Sequence, residues 1–96
     1  MHVLALQIEL RFPASQSLKQ KRAHVRPIID GLRSRFEVSV SEVAHHDTWQ
    51  RSAIGVAIVG GEVAVVERVG DQIERFVWQA DAEVLGIDRH WLDIDH

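Results

Sequence analysis

Gly60-Gly61-Glu62-Val63-Ala64-Val65-Val66-Glu67-Arg68-Val69-Gly70 admits two readings, and the fold turns on which is right. A Gly-Gly pair suits a two-residue hairpin turn, which would make Ile54 to Val66 one hairpin. The competing pattern is Val66, Val69, Ile73, Phe76 and Val77, spaced three and four apart. That spacing puts all five on one face of a helix. It extends over more residues than the alternation does, so it predicts a helix over 62–79. The helix is expected despite Val63, Val65 and Val66, which are poor helix formers, and despite Gly70 inside it.

The preceding segments read as strands. Ile54, Val56 and Ile58 alternate with Ala53, Gly55, Ala57 and Val59. Phe36, Val38 and Val40 alternate with Glu37, Ser39 and Ser41, and the polar residues 44–50 connect the two. At the start, Leu4, Leu6, Ile8 and Leu10 point one way, and Val3, Ala5, Gln7, Glu9 and Arg11 the other. Period two means a strand with one buried face. Pro13 ends it. The tail from Ala82 to Ile94 reads as a last strand whose apolar parity slips between Leu85/Ile87 and Leu92/Ile94. A bulge near Gly86 to Arg89 would restore one buried face.

Between the first two strands, Ser17 with Gln20 three residues later forms a capping-box pattern. Leu18, Val25, Ile28, Ile29 and Leu32 follow at helical spacing. This predicts a helix over about 17–34 that Pro27 kinks or interrupts and Gly31 weakens. The order β-α-β-β-α-β with right-handed split crossovers implies an α+β, ferredoxin-like sandwich. Both helices then cover one face of a four-stranded antiparallel sheet. Residues 1–96 read as a single domain without linkers or repeats.

Charge is unevenly distributed. The 96 residues carry a formal net charge of −3. Between Arg11 and Arg35, seven Lys and Arg residues face one acid, Asp30, for a net +6. The remaining four basic and thirteen acidic residues leave −9. Lys19, Arg22, Arg26 and Arg33 are spaced three, four and seven apart, so they form one stripe beside the buried face of the first helix, flanked by Lys21. The cysteine count is zero, which excludes a disulfide framework and thiol or thiolate chemistry. No signal-peptide pattern opens the chain and no apolar run reaches membrane-spanning length, so the expected location is cytoplasmic.

Three stretches carry a family resemblance: Ser17-Leu18-Lys19-Gln20-Lys21-Arg22, Phe36-Glu37-Val38-Ser39-Val40-Ser41-Glu42, and Asp47-Thr48-Trp49-Gln50-Arg51 running into Ile54-Gly55-Val56-Ala57. The chain resembles the bacterial YlxP-like family of small proteins, a domain of unknown function. The resemblance implies a ferredoxin-like fold. It also implies a gene context near translation and ribosome maturation, and it brings no catalytic residue. Glu37, where the family pattern has asparagine, and Pro27 are departures from it.

The residues point to binding rather than to a reaction. A row of Arg and Lys suits a phosphate backbone, although such a row also serves as a solvated face paired with acids such as Glu67 and Glu74. The uncovered sheet face would hold Val3, Ala5, Ala53, Gly55, Ala57 and Val59. It has no aromatic platform for base-specific reading of single strands, but its small apolar residues suit an interface. His45, His46 and Asp47 lack metal-ligand spacing. No glycine pattern marks a nucleophile elbow or a phosphate loop. Trp49 and Trp78 are expected to be half-exposed, at an interface or over the edge of the core. The expected function is a non-enzymatic, cofactor-free, metal-free module that binds structured RNA or the ribosome through Lys19, Lys21, Arg22, Arg26 and Arg33. The alternative is a homo-oligomeric interaction module that uses the open sheet face.

Overall fold

Residues 1–95 are described by a computed structural model. The elements follow in the order β1 (His2–Arg11), α1 (Leu18–Arg35), β2 (Ser39–Ala44), β3 (Arg51–Gly60), α2 (Val63–Trp78) and β4 (Glu83–Asp93). The strands form one antiparallel sheet in the order β2-β3-β1-β4. This is the ferredoxin-like arrangement. Gly60-Gly61 leads from the end of β3 into the cap of α2 rather than turning a hairpin. Burial explains the outcome: Val66, Ile73 and Val77 are fully enclosed, with Val69 and Phe76 packed against them, and a helix brings all five to the core at once.

β1 supplies Leu4, Leu6, Ile8 and Leu10, β3 supplies Ile54, Val56 and Ile58, and α1 supplies Val25, Ile28 and Leu32. The two glycines that weaken the helices by propensity sit where elements touch. A Cβ on Gly31 would lie 2.5 Å from the Phe76 ring, and one on Gly70 would lie 2.8 Å from Leu4 Cδ2. Each therefore trades helix propensity for close packing.

Four expectations need correction. α1 runs without a break through Pro27, which faces solvent. Ala23, four residues earlier, is also an exposed residue, so water can satisfy the carbonyl that Pro27 leaves without a donor. The capping pattern is displaced by one residue. Ser17 Oγ accepts from the Gln20 N–H at 3.1 Å, but Gln20 Oε1 accepts from the N–H of Gln16 rather than of Ser17. β2 begins at Ser39 and continues to Ala44. Phe36 and Val38 instead pack on the core from the connection that precedes it. Lastly, the β4 irregularity lies opposite Glu9 and Leu10, so Leu85 is the extra residue between Val84 and Gly86. Val84 and Ile87 turn inward, while Leu85, Leu92 and Ile94 remain exposed.

Candidate nucleic-acid interface

α1 presents its polar face because its apolar residues are drawn onto the sheet. Lys19, Arg22 and Arg26 are exposed on that face. None of the three forms a salt bridge among the described residues. From Lys19 to Arg26 the helix rises about 10 Å. Among the described residues, neither Glu67 nor Glu74 pairs with the stripe. Glu74 instead pairs with Arg89, joined by Asp71. Burial alone would lower the Arg89 pKa, but bonding to the two carboxylates outweighs that and raises it. Arg89 is therefore a fixed cation, and α2 commits Asp71 and Glu74 to β4.

A groove of about 310 Å³ lies between α1 and β2, lined among others by Arg22, Arg26, Arg33 and Ser41. Asp30 and Glu42 also line it, so the groove sets its cations beside two acids. Arg33 is only partly free: one guanidinium nitrogen donates to the Val40 carbonyl at 2.7 Å. The next outward carbonyl of β2, that of Glu42, lies 3.1 Å from His46 Nε2. These two side chains cap the free edge of the sheet, which otherwise offers unpaired backbone groups to another strand.

Lys21 does not belong to the exposed stripe. Its side chain is 1% exposed, and Nζ donates to the carbonyls of His45 at 2.7 Å and His46 at 3.1 Å. Glu42 Oε2 lies 3.3 Å away and also accepts from Ser52 Oγ at 2.5 Å. The lysine is thus a buried strut between α1 and the β2–β3 connection. Sequence reading placed it with the binding residues by charge alone. The missed signal was its position four residues before Val25 and seven before Ile28, on the buried side of the helix.

His45 lies 3.6 Å from Glu9 Oε2, which Arg51 also approaches at 3.3 Å. Both histidines of the pair therefore serve the connection. Among the described residues no group of three or more His, Cys, Asp or Glu is placed to hold a metal ion. No helix among the described residues is long and apolar enough to cross a membrane. Arg35, which sequence reading did not place, lies over the Phe76 ring at 4.8 Å.

The residues expected at an interface share the uncovered sheet face, though not equally. Ala53 is fully buried within the chain and offers a partner no surface. Gly55 lies under Val43, whose Cγ1 would be 2.8 Å from a Cβ there. Val59, Val3 and Leu92 are direct cross-strand neighbours. Val59 is 61% exposed and Leu92 is 56% exposed. Ala57 and Ala5 form the next row, with His90 beyond them. Trp49 and Trp78 both stand in solvent.

Comparisons with known proteins place this geometry in a family. Among solved structures, the chain is similar to the de novo designed protein Foldit4, with a TM-score of 0.53 at 14% identity over 97% of this chain and 99% of that one. It also matches LarC2, the C-terminal domain of a cyclometallase involved in synthesis of the NPN cofactor of lactate racemase. There the TM-score is 0.53 at 12% identity, covering 96% of this chain and 55% of that one. At such identities the likeness concerns fold alone. The uncharacterized protein YlxP of Bacillus subtilis (strain 168) is 36% identical over 61 residues, which is 64% of this chain and 66% of that protein. The match thus spans just under two thirds of the relative's length. Residues 3–89 match the family model described as protein of unknown function (DUF503). The chain belongs to that DUF503 family, and is YlxP-like within it.

Proposed function

We propose that this protein is a non-enzymatic module that binds structured RNA, such as ribosomal RNA, by setting the exposed face of α1 on the phosphate backbone. The observation that carries the reading is Lys19, Arg22 and Arg26, three exposed cations on one helix face of an acidic protein, without salt-bridge partners among the described residues. Acidic surface elsewhere repels RNA and restricts it to that face. Arg33 has one nitrogen committed to β2, so it adds charge at the groove rather than a full two-pronged contact. Three phosphate contacts imply that log affinity falls with log salt at a slope of roughly −2 to −3. Replacing Arg22 and Arg26 with Gln removes two of them and flattens the slope by about 1.5. The test is a salt titration of binding to ribosomal RNA or ribosomal subunits. Equal slopes for the double variant and the wild type would refute the reading.

A second reading is homo-oligomerisation through the open sheet face. It is favoured by the cross-strand row Val59–Val3–Leu92, because a sheet face left to water normally carries polar residues at such positions.

A further inference from the structure

Trp49 is 54% exposed, yet the residues around it are tightly held. The buried Lys21 holds the carbonyls of His45 and His46. The Thr48 N–H closes a turn onto the His45 carbonyl at 3.1 Å. On the other side, Gln50 Nε2 donates to the carbonyls of Pro13 and Ser15 at 3.1 and 3.3 Å, and the Gln50 carbonyl accepts from the Phe12 N–H at 2.9 Å. Residues 45–50 are thus fixed at both ends. His45 has a φ of 63°, a left-handed conformation costly for a residue other than glycine and kept only where the surroundings enforce it.

A tryptophan that serves the core is enclosed. One left in water on a fixed support instead offers a flat apolar surface that needs little further ordering to bind. Nucleobases stack on such rings whatever their sequence. The bonds that hold the loop also tie it to α1, the helix that carries Lys19, Arg22 and Arg26. Asp47, the only acid within residues 45–50, disfavours a phosphate beside the ring. The division of labour follows: the helix takes backbone and the loop takes a base.

We propose that Trp49 stacks on an unpaired base of the RNA whose phosphates lie along α1, so that the ligand is a stem carrying a bulged or flanking nucleotide. This rests on the RNA reading above and names the class of RNA. The test uses two labelled hairpins that differ only by one bulged nucleotide, measured by anisotropy against wild type, Trp49→Phe and Trp49→Leu. Wild type is expected to prefer the bulged hairpin by about 5- to 100-fold, the worth of one stacked base. Trp49→Phe keeps most of that preference. Trp49→Leu, which retains apolar bulk without a ring, loses it while keeping its affinity for the paired hairpin and its salt slope, because stacking releases no counterions. A bulge preference undiminished in Trp49→Leu would overturn the stacking and leave Trp49 to a protein partner, with phosphate binding by α1 still standing. Equal binding of both hairpins by wild type would overturn it in the same way. Failure of wild type to bind either hairpin at low salt would remove both readings together.

Discussion

A buried ammonium group is tolerated only when every donor finds an acceptor. Lys21 meets that condition with two backbone carbonyls and the Glu42 carboxylate, and Ser52 in turn holds Glu42. Removing the charge would strand these acceptors. Lys21→Met keeps the aliphatic stem but leaves Glu42 without its cation, and it should cost about 2–4 kcal/mol. The expected readout is a lower urea midpoint with an unchanged slope of affinity against salt. If the midpoint holds and the slope flattens instead, Lys21 contacts phosphate and the strut assignment is wrong. Arg89 behaves differently with pH. Its folded pKa is raised, so its contribution is fully present below the unfolded arginine value and lost only above it. Its pairing with Glu74 and Asp71 should therefore add no titration of stability through the Arg89 proton near neutral pH.

Among the elements, α1 departs furthest from propensity. Pro27 removes one donor from the middle of an 18-residue helix that nevertheless runs on without interruption. The helix is held by Val25, Ile28 and Leu32 against the sheet, and such packing outweighs the local cost. Because Pro27 faces water, replacing it should disturb no packed neighbour. Pro27→Ala would give residue 27 an N–H for the Ala23 carbonyl and should raise stability by about 1–3 kcal/mol, seen as a higher denaturant midpoint. A lower midpoint would mean that the proline shapes α1 to the curve of the sheet. The contact of Gly31 with Phe76 belongs to the same scale. The existence of both helices was legible because their apolar stripes repeat at three and four. The purpose of their glycines was not, since it depends on which residue of another element lies opposite.

The whole molecule is elongated, with principal extents of 48 × 20 × 19 Å. β3 runs the length between two features: its first residues follow the Trp49 loop, and its last include Val59. The Trp49 surface and the Val59–Val3–Leu92 row therefore lie near opposite ends of a ten-residue strand, about 30 Å apart. Self-association through the row leaves the cationic face of α1 free. Val59→Arg should reduce any self-association, because it would place an unpaired charge in the covered face. Light scattering checks this by the mass of wild type and variant at high concentration. A monomeric wild type would dismiss the oligomer reading and leave RNA binding untouched.

What the sequence determined by itself was everything that follows from period. The alternation of Leu4 to Leu10 and of Ile54 to Ile58 specified two core strands. The Val66–Val77 stripe decided between hairpin and helix, and the element order then specified the topology. The charged stripe was legible as well, since a helix places residues three, four and seven apart on one side. Spacing already put Lys21 in line with Val25 and Ile28, but only the tertiary structure showed what holds each of these cations. Lys19, Arg22 and Arg26 remain in solvent, Lys21 is taken inside by carbonyls 24 and 25 residues away, and Arg33 caps the edge of β2. Ala53 shared the parity of Ala57 yet is buried, and Leu92 shared none of the core despite its apolar side chain. Periodicity assigns a residue to a face, but its cover and partners come from segments distant in the chain.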